Sequence, residues 1–534
     1  MYKVLVSDNI AQKGIEVLEN AGMKVDFNPN LNREEFLEII ADYDGIIVRS
    51  MTKLDKEALT KAKKLKVIGR AGTGYDNIDL EEATKNGIFV FNTPTGNTIS
   101  AVEHTLGMML SLSRNISQAN QALHNDIWDR KKYMGVEIKG KTLGIIGLGR
   151  IGSRVAKRAQ SFGMKVIAND PYLSPKKAEK INVPLLPFKE VLKKSDYVTL
   201  HTPLTDETYH ILSHKEFAIM KPGARVINCA RGQNVDTKAL AEALEKNKIA
   251  GAAIDVHEEE PVKASNNPLL KFEDSVIMTC HLGGTTTEAM DNVSITAAEE
   301  VISVLKNNLP ESPLNIPAMD PQDFNQAKPY INLITKLGNF VAKWKGHERI
   351  EAVEIEYGGE VNQYNLKPMT LSLVKSILEP NLDDRINLVN AMHVAKEREI
   401  SIKESQIQNE GELKNIIKIN LKTEMNEYSL AGTYLPIGFR LIEINGLRID
   451  LDLSGEFIIV SYQDKPGVIG KIGSTLGEAN INIANMQVGR KKIGGNAIMM
   501  MQIDSKPSKD IMEKIKTHLD ELDTKVKDLS YLEI

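Results

Sequence analysis

One stretch constrains this chain more than any other: Lys141-Thr-Leu-Gly-Ile-Ile-Gly-Leu-Gly-Arg-Ile-Gly152. The apolar run from Leu143 to Ile146 has the continuity of a strand buried on both faces. It leads at once into Gly147-x-Gly149-x-x-Gly152, then into Val155-Ala-Lys-Arg-Ala-Gln-Ser-Phe162, whose apolar spacing is helical. Each glycine answers a separate need: Gly147 a tight turn, Gly149 the approach of a pyrophosphate, Gly152 close packing of helix on strand. The first helical residues then offer unpaired N–H groups to phosphates. A second strand, Lys165-Val-Ile-Ala-Asn169, ends at Asp170, 18 residues beyond Gly152. An acid there accepts hydrogen bonds from ribose hydroxyls and repels a 2′-phosphate, so the pattern selects NAD over NADP. Lys176 and Lys177 lie close enough to weaken that preference.

The surrounding pattern is α/β. Residues 1–97 alternate strands at 3–7, 24–27, 45–48, 66–68 and 88–91 with helical segments, as in a small doubly wound unit. Asn92-Thr-Pro-Thr-Gly-Asn97 breaks the alternation. Ser100-Ala-Val-Glu103 reads as a capping box opening a helix to Ser113, with His104 as a satisfied core or interface residue. After the glycine turn come strands at 197–200, 224–229, 250–255 and 275–280. In an open parallel sheet the ligand crevice lies past the carboxyl ends of the strands, and Thr202, Arg231, Asp255 and His281 all stand at such ends.

Pro310, Pro313 and Pro317 mark a linker. Residues 318–452 read as a mixed α+β region, with helices at 328–345 and 371–378 and strands at 350–357 and 428–440. From Gly455 the order is strand 457–462, helix 468–479, strands 481–489 and 495–502, helix 509–522, strand 526–532. That is the ferredoxin-like order.

The totals exclude other classes. A chain of 534 residues, 42% apolar and 26% charged, is a globular protein of three or four domains. A net charge of −4 carries no bias toward nucleic acid. Cys229 and Cys280, the two cysteines, both end strand-like runs and read as small buried hydrophobes, with neither a disulfide nor a metal expected. A strand opens the chain with no targeting signal before it, and no apolar run reaches the ~18 residues of a membrane span. A soluble, cytoplasmic protein with no membrane partner is the expectation.

Three residues carry the chemistry: Arg231 in Asn228-Cys-Ala-Arg-Gly232, Glu260 in Asp255-Val-His-Glu-Glu-Glu-Pro261, and His281 in Thr279-Cys-His-Leu-Gly-Gly284. Taken singly, each has an ordinary explanation as a surface charge, a solvated acidic loop or a structural histidine. Beside a nicotinamide they meet the demands of oxidising a hydroxy acid: a base, a cation for the carboxylate and an aligned hydride acceptor. His281 is the expected base, Glu260 its orienting partner, and Arg231 the planar fork for the substrate carboxylate or carbonyl.

With Gly69-Arg-Ala-Gly-Thr-Gly74 and His201-Thr-Pro-Leu204 added, the chain resembles the D-isomer specific 2-hydroxyacid dehydrogenase family, in its long D-3-phosphoglycerate dehydrogenase form, over its whole length. The resemblance implies two Rossmann-like domains: a split substrate domain, 1–97 with 283–314, and an NAD domain, 98–282. An intervening domain, 315–452, and an ACT regulatory domain, 455–534, follow. It implies NAD contacts at Thr73, Gly147, Gly149, Arg150, Ile151, Gly152, Asp170, Thr202, Cys229, Ala230, Arg231, Asp255, His281 and Gly284. The implied reaction is oxidation of 3-phospho-D-glycerate to 3-phosphooxypyruvate, the first committed step of L-serine biosynthesis.

Phosphate recognition needs cations: Arg49 and Arg70, with Arg130 reaching in from a second subunit, while backbone N–H groups around Gly72–Gly74 form a nest for the carboxylate. Val460-Ser-Tyr-Gln-Asp-Lys-Pro-Gly-Val468 resembles the start of an ACT domain, where relatives hold serine between subunits at positions matching Tyr462, Asp464 and Asn482. Feedback inhibition by L-serine and a homo-oligomer, dimer or tetramer, are thereby implied. Arg448 is the one residue singled out in the intervening region, which the resemblance associates with anion or substrate binding. Two other readings stand beside this one. Glyoxylate, hydroxypyruvate or formate dehydrogenases usually stop near the first proline linker, and the formate enzymes lack the glutamate. An NAD-sensing scaffold or corepressor needs no ACT module.

Overall fold

The computed structural model describes residues 1–263, 265–317, 321–382, 386–408 and 413–534, with the side chains of 321, 322, 324, 325 and 381 left aside. Two compact units emerge: Met1–Lys53 with Ile68–Asn77 and Asn92–Asn307, and Leu54–Val67 with Ile78–Phe91 and Asn308–Ile534.

The glycine turn of the first unit leaves a six-stranded parallel sheet in the order Val276–Met278, Ile249–Ile254, Ala224–Asn228, Tyr197–Leu200, Thr142–Ile146, Lys165–Asn169. Its central strands are largely apolar and buried because both faces are covered. Leu143 and Ile145 pack with Val155, Ala156 and Ala159 of the helix Arg150–Ser161, while Ile146, Val198, Leu200 and Val226 pack on the other side. At roughly 1.5–3 kcal/mol for each fully buried Leu, Ile or Val, burial of this run offsets the ~1–2 kcal/mol per residue of ordering its backbone. The turn that follows it is thus held by a rigid support. The chain enters the sheet at Thr142–Ile146, then adds one strand on one side and the next on the other. The order reverses beside the glycine turn, where a crevice opens past the carboxyl ends.

A second sheet has the order Lys24–Phe27, Lys3–Val6, Gly45–Val48, Val67–Arg70, Phe89–Asn92, with Lys3–Val6 parallel to both neighbours. The helix Thr287–Leu305, late in the chain, packs on the helix Gln12–Asn20 beside it. Ala11 N–H donates to Ser294 Oγ at 2.9 Å, Lys13 pairs with Asp291 at 2.6 Å, and a Cβ on Gly14 would lie 2.7 Å from Ser294 O. The capping box expected at Ser100–Glu103 does not form. The helix Thr98–Arg114 already starts at Thr98, and Ser100 Oγ bonds Thr286 Oγ1 at 2.8 Å instead. Asn97, the actual cap, gives no side-chain bond to the helix because its carboxamide accepts from Thr73 Oγ1 at 2.7 Å.

In the second unit a six-stranded mixed sheet runs Ser401–Ile407, Ile350–Gly359, Asn415–Thr423, Glu427–Leu435, Gly438–Ile444, Leu447–Leu451. The expected single strand 428–440 is two, folded back through a turn where Gly438 has φ +119°. The last four strands, ordered Ile483–Arg490, Asn496–Ile503, Glu456–Gln463, Val526–Glu533, are antiparallel and carry helices Val468–Glu478 and Lys509–Glu521 over one face. This is the ferredoxin-like arrangement. Its other face is buried too: Phe457, Ile459, Ile498, Met500 and Leu532 join Leu333, Leu337, Phe340, Ile417 and Ile419 in one cluster. The mixed sheet and the terminal sheet therefore share a core. Among the described residues no helix is long and apolar enough to cross a membrane.

Candidate active site

His281 follows the strand Val276–Met278 in a left-handed backbone conformation, φ +58°, uncommon for a non-glycine residue. Asp255 holds it there. Its carbonyl accepts His281 N–H at 2.9 Å, and its carboxylate accepts from Leu282 N at 2.7 Å, Gly283 N at 2.9 Å, Thr279 Oγ1 at 2.6 Å and His104 Nε2 at 3.1 Å. Burial pushes the Asp255 carboxyl up, but bonds from His104, Thr279 and Leu282 N–H outweigh it and hold the group far below the carboxylate range. The strain at His281 is thus met by a saturated anchor.

His281 Nδ1 lies 2.9 Å from Glu260 Oε2, and Glu260 Oε1 accepts from His257 N at 3.0 Å. Burial raises the Glu260 carboxyl; the bonds from His281 and His257 N–H more than offset it, so it sits below its ordinary value. An ionised Glu260 accepts only, which assigns the proton to Nδ1 and leaves Nε2 as the basic nitrogen.

Arg231 leaves the strand Ala224–Asn228 with Nη1 on Ala230 O at 2.7 Å and Nε on Asp76 Oδ2 at 3.1 Å. Gly72 and Gly74 make space for guanidinium groups: a Cβ on Gly74 would sit 2.0 Å from Arg231 Nη2, and one on Gly72 1.8 Å from Arg70 Nη1. Arg70 is pulled down to about 10, first by burial, then by the charges of Arg49 and Arg231. Arg49 is lowered by burial against the pull of Asp8. The Nε atoms of Arg49 and Arg70 are buried without a hydrogen-bond partner. Crowded cations with orphaned donors are the signature of an anion site. The loop carrying Arg49 is tied by Asp8, which accepts from Arg49 N at 2.6 Å and from Thr52 Oγ1 at 2.6 Å. The expected nest is smaller than the sequence suggests. Gly72 N–H is already taken by Arg70 O and Thr93 Oγ1, leaving Thr73 and Gly74 for a carboxylate.

The glycine turn fits a dinucleotide. Gly147 has φ +89°, with its Cβ position 2.6 Å from His201 O, and a Cβ on Gly152 would strike Gly147 O at 2.1 Å. A Cβ on Gly149, by contrast, would meet nothing within 4 Å, the open approach a pyrophosphate requires. Arg150 and Ile151 begin the helix behind it. Asp170 accepts from Leu148 N at 2.9 Å, Tyr172 N at 3.0 Å and Leu173 N at 3.1 Å, so it ties the turn to the strand end it follows. Thr202 Oγ1 is buried and unpartnered, and His201 is pushed down to about 4 by burial, hence neutral. Ala230 N–H donates to Asn228 Oδ1, and the Cβ position of Gly284 is 2.8 Å from Asn97 Nδ2.

Both cysteines depart from expectation in part. Cys280 is exposed, because the strand ends at Met278 and leaves it on the loop. Cys229 is inward, its thiol pushed up to about 12 by burial and then by Asp255. Its Sγ groups with His104 and Asp255 within 4.8 Å. Arg130 is exposed over the Trp128 ring, 5.8 Å away, with no partner from the arginine cluster among the described residues. Asp76, Asp8, Asn97 and the bonding of His104 to Asp255 carried no sequence signal, since each works through a residue distant in the chain.

In the second unit Tyr462 and Asp464 line a cavity of about 520 Å³. Asp464 is engaged there by Arg490 Nη1 at 2.5 Å and Gly494 N at 3.2 Å, which lower its carboxyl. Asn482 instead donates to Asp504 at 2.8 Å. Arg448 is exposed opposite Glu443.

Residues 106–283 match the family described as D-isomer specific 2-hydroxyacid dehydrogenase, NAD binding domain; residues 326–445 match the D-3-phosphoglycerate dehydrogenase intervening domain, and 457–520 the ACT domain. A D-3-phosphoglycerate dehydrogenase of Bacillus subtilis is 42% identical over 533 residues, 99% of this chain and 100% of the relative. One from Methanocaldococcus jannaschii is 42% identical over 517 residues, 97% and 98% of the two chains. Among solved structures, a glyoxylate reductase from Paecilomyes thermophila superposes with TM-score 0.55 at 30% identity, covering 59% of this chain and 98% of that one. A D-lactate dehydrogenase from Aquifex aeolicus, complexed with NAD and lactic acid, gives TM-score 0.51 at 28% identity over 57% and 96%.

Proposed function

Because the chain belongs to the D-3-phosphoglycerate dehydrogenase family, we propose that it oxidises 3-phospho-D-glycerate to 3-phosphooxypyruvate with NAD, at the head of L-serine biosynthesis. The observation that carries this reading is the set of three guanidinium groups, two with orphaned Nε donors, in the same unit as an acid-backed histidine. A substrate with a carboxylate at one end and a phosphate at the other needs such an excess of positive charge.

We assign the roles as follows, on the support of the geometry. Gly147, Gly149, Gly152, Arg150 and Ile151 hold the pyrophosphate, Asp170 the ribose, and Thr73, Thr202, Cys229, Ala230, Asp255 and Gly284 line the remainder of the NAD site. Bound NAD supplies the acceptor for the hydride leaving C2. His281 Nε2 takes the proton of the C2 hydroxyl and afterwards releases it to water. Glu260 keeps the ring oriented and stabilises the imidazolium. Arg231 holds the carboxylate or carbonyl, and Arg49 and Arg70 the phosphate. Arg130 completes the phosphate site from a neighbouring subunit of a homo-oligomer.

We further assign 1–97 with 283–314 to a substrate domain, on the support of the Thr287–Leu305 helix packed beside the first strands, and 98–282 to the NAD domain. Residues 315–452 form the intervening domain and 455–534 the ACT domain. The cavity at Tyr462 and Asp464 takes L-serine, with Asn482 contributed across an ACT pair, and the enzyme works in the cytoplasm. The solved glyoxylate reductase and D-lactate dehydrogenase structures cover only 59% and 57% of this chain, which weighs against a glyoxylate or hydroxypyruvate enzyme. A screen of 2-hydroxy acids with NAD and NADP, with and without L-serine, tests the proposal: 3-phosphoglycerate with NAD should lead, and a preference for glycolate, lactate or formate refutes it.

A further inference from the structure

One face of the helix Thr98–Arg114, with the residue that caps it, grips the segment carrying His281. Asn97, Ser100 and His104 follow one another at spacings of three and four, so they lie along a single stripe. Asn97 Oδ1 accepts from Thr73 Oγ1 at 2.7 Å, and Ser100 Oγ lies 2.8 Å from Thr286 Oγ1. His104 Nε2 stands 3.1 Å from Asp255 Oδ1 and 3.2 Å from Thr279 Oγ1. The stripe therefore touches residues on both sides of His281 in sequence.

Asp255 connects the stripe to the base. Its buried carboxylate takes the N–H groups of Leu282 and Gly283, which follow His281, and the hydroxyl of Thr279, which precedes it. Held far below the carboxylate range, Asp255 carries no hydrogen, so each partner donates to it and His104 Nε2 brings its own proton. Of these four donors, three belong to the segment 279–283 itself and turn with it. His104 comes from another element. Its ring fixes the rotation of the carboxylate against the helix, and through the carboxylate it fixes a base whose backbone sits at φ +58°.

We infer that His104 is a positioning residue for hydride-transfer chemistry at this site, acting through Asp255 on the place of His281; the inference rests on the dehydrogenase reading given above. Without the ring, Asp255 keeps its three donors from the segment, but carboxylate and segment are free to shift together. A displacement of the base by about 1 Å costs about 10²-fold in rate. The glycine turn, Asp170 and the arginine cluster are held by other elements, so binding survives where the proton transfer does not. His104 thus acts on the rate of the chemical step and leaves the ground-state contacts to substrate in place.

The experiment compares the full chain with His104→Leu, which donates nothing, and His104→Gln, whose carboxamide places an N–H donor near the position of Nε2. With 3-phospho-D-glycerate and NAD, His104→Leu should lower kcat by about 10–10²-fold while KM and NADH affinity stay near wild type. Its solvent deuterium isotope effect on kcat should exceed the wild-type value, because proton transfer to a displaced imidazole becomes slow. His104→Gln should regain most of the rate. A wild-type rate in His104→Leu overturns the inference, as does an equal loss in both variants or a loss matched by weaker NADH binding. If His104→Leu fails to fold, His104→Asn, whose shorter amide falls short of Asp255, replaces it under the same outcomes. Amide exchange over 279–284 gives a readout that needs no turnover: it should quicken in His104→Leu and not in His104→Gln, and unchanged exchange also overturns the inference. If the wild type prefers another 2-hydroxy acid, the substrate reading fails by itself, and the same comparison made with that acid decides His104.

Discussion

The arginine cluster of the first unit and the Asp464 cavity of the second handle charge in opposite ways. Arg49, Arg70 and Arg231 stand together with one direct acid, Asp76, on Arg231, and two buried Nε donors lack any partner. Asp464 is closed by Arg490 and Gly494 N–H from its own chain. An unpaired buried donor costs about 1–3 kcal/mol, which only a ligand recovers. A surface ion pair is weak and readily exchanged. The first arrangement suits a site that needs its ligand to be complete; the second suits an effector that competes with an internal partner.

If this contrast holds, substitutions at the two places differ in scale. Arg231→Ala should lower kcat/KM for 3-phosphoglycerate by about 10²–10⁴-fold, by loss of substrate positioning, while NADH titrated by fluorescence binds as in wild type. Equal loss of NADH binding would place Arg231 in cofactor binding alone.

Glu260→Gln should be the next most costly, about 10–10²-fold in kcat, because the His281 ring has lost the carboxylate that orients it. Stability should respond with a definite sign. The folded carboxyl of Glu260 lies below 4.5, so its contribution is present above that pH and disappears as pH falls through the depressed folded value. Acid unfolding of Glu260→Gln should therefore vary less with pH; an unchanged profile denies the His281 pair.

Asp464→Ala tests the closed site. The L-serine concentration giving half inhibition should rise by roughly tenfold, with turnover in its absence unchanged; an unaltered inhibition curve removes Asp464 from the effector site. The smallest effect separates the cysteines. At neutral pH iodoacetamide should modify exposed Cys280 and spare Cys229, whose buried thiol is pushed up to about 12. Mass spectrometry of the labelled chain reads the outcome directly.

The nucleotide half was legible because its strands are doubly buried. Runs such as Leu143–Ile146 stand out without alignment, and their ends shifted little. The terminal ferredoxin-like order was legible for the same reason, with Phe457–Val460 covered on both faces. The mixed sheet was not. Ser401–Ile407 is largely exposed and carries Lys403, Glu404, Ser405 and Gln406 in sequence, so neither strand nor helix periodicity appears. At the site, Arg231 and His281 each announced themselves beside a strand end, and Glu260 in the acidic loop that follows Asp255. Their supports did not: Asp76 lies 155 residues from Arg231, and Asp8 lies 41 from Arg49. Cys280 was misjudged because an apolar run does not reveal that its strand stops at Met278.

The most direct test of the whole account compares initial NADH formation from 3-phospho-D-glycerate by the wild-type chain and by His281→Ala, with NADH binding measured on both. Wild type should turn over and His281→Ala should lose about 10²–10⁴-fold in kcat while holding NADH equally well. A wild-type chain with no turnover, or a variant as fast as wild type, would contradict it.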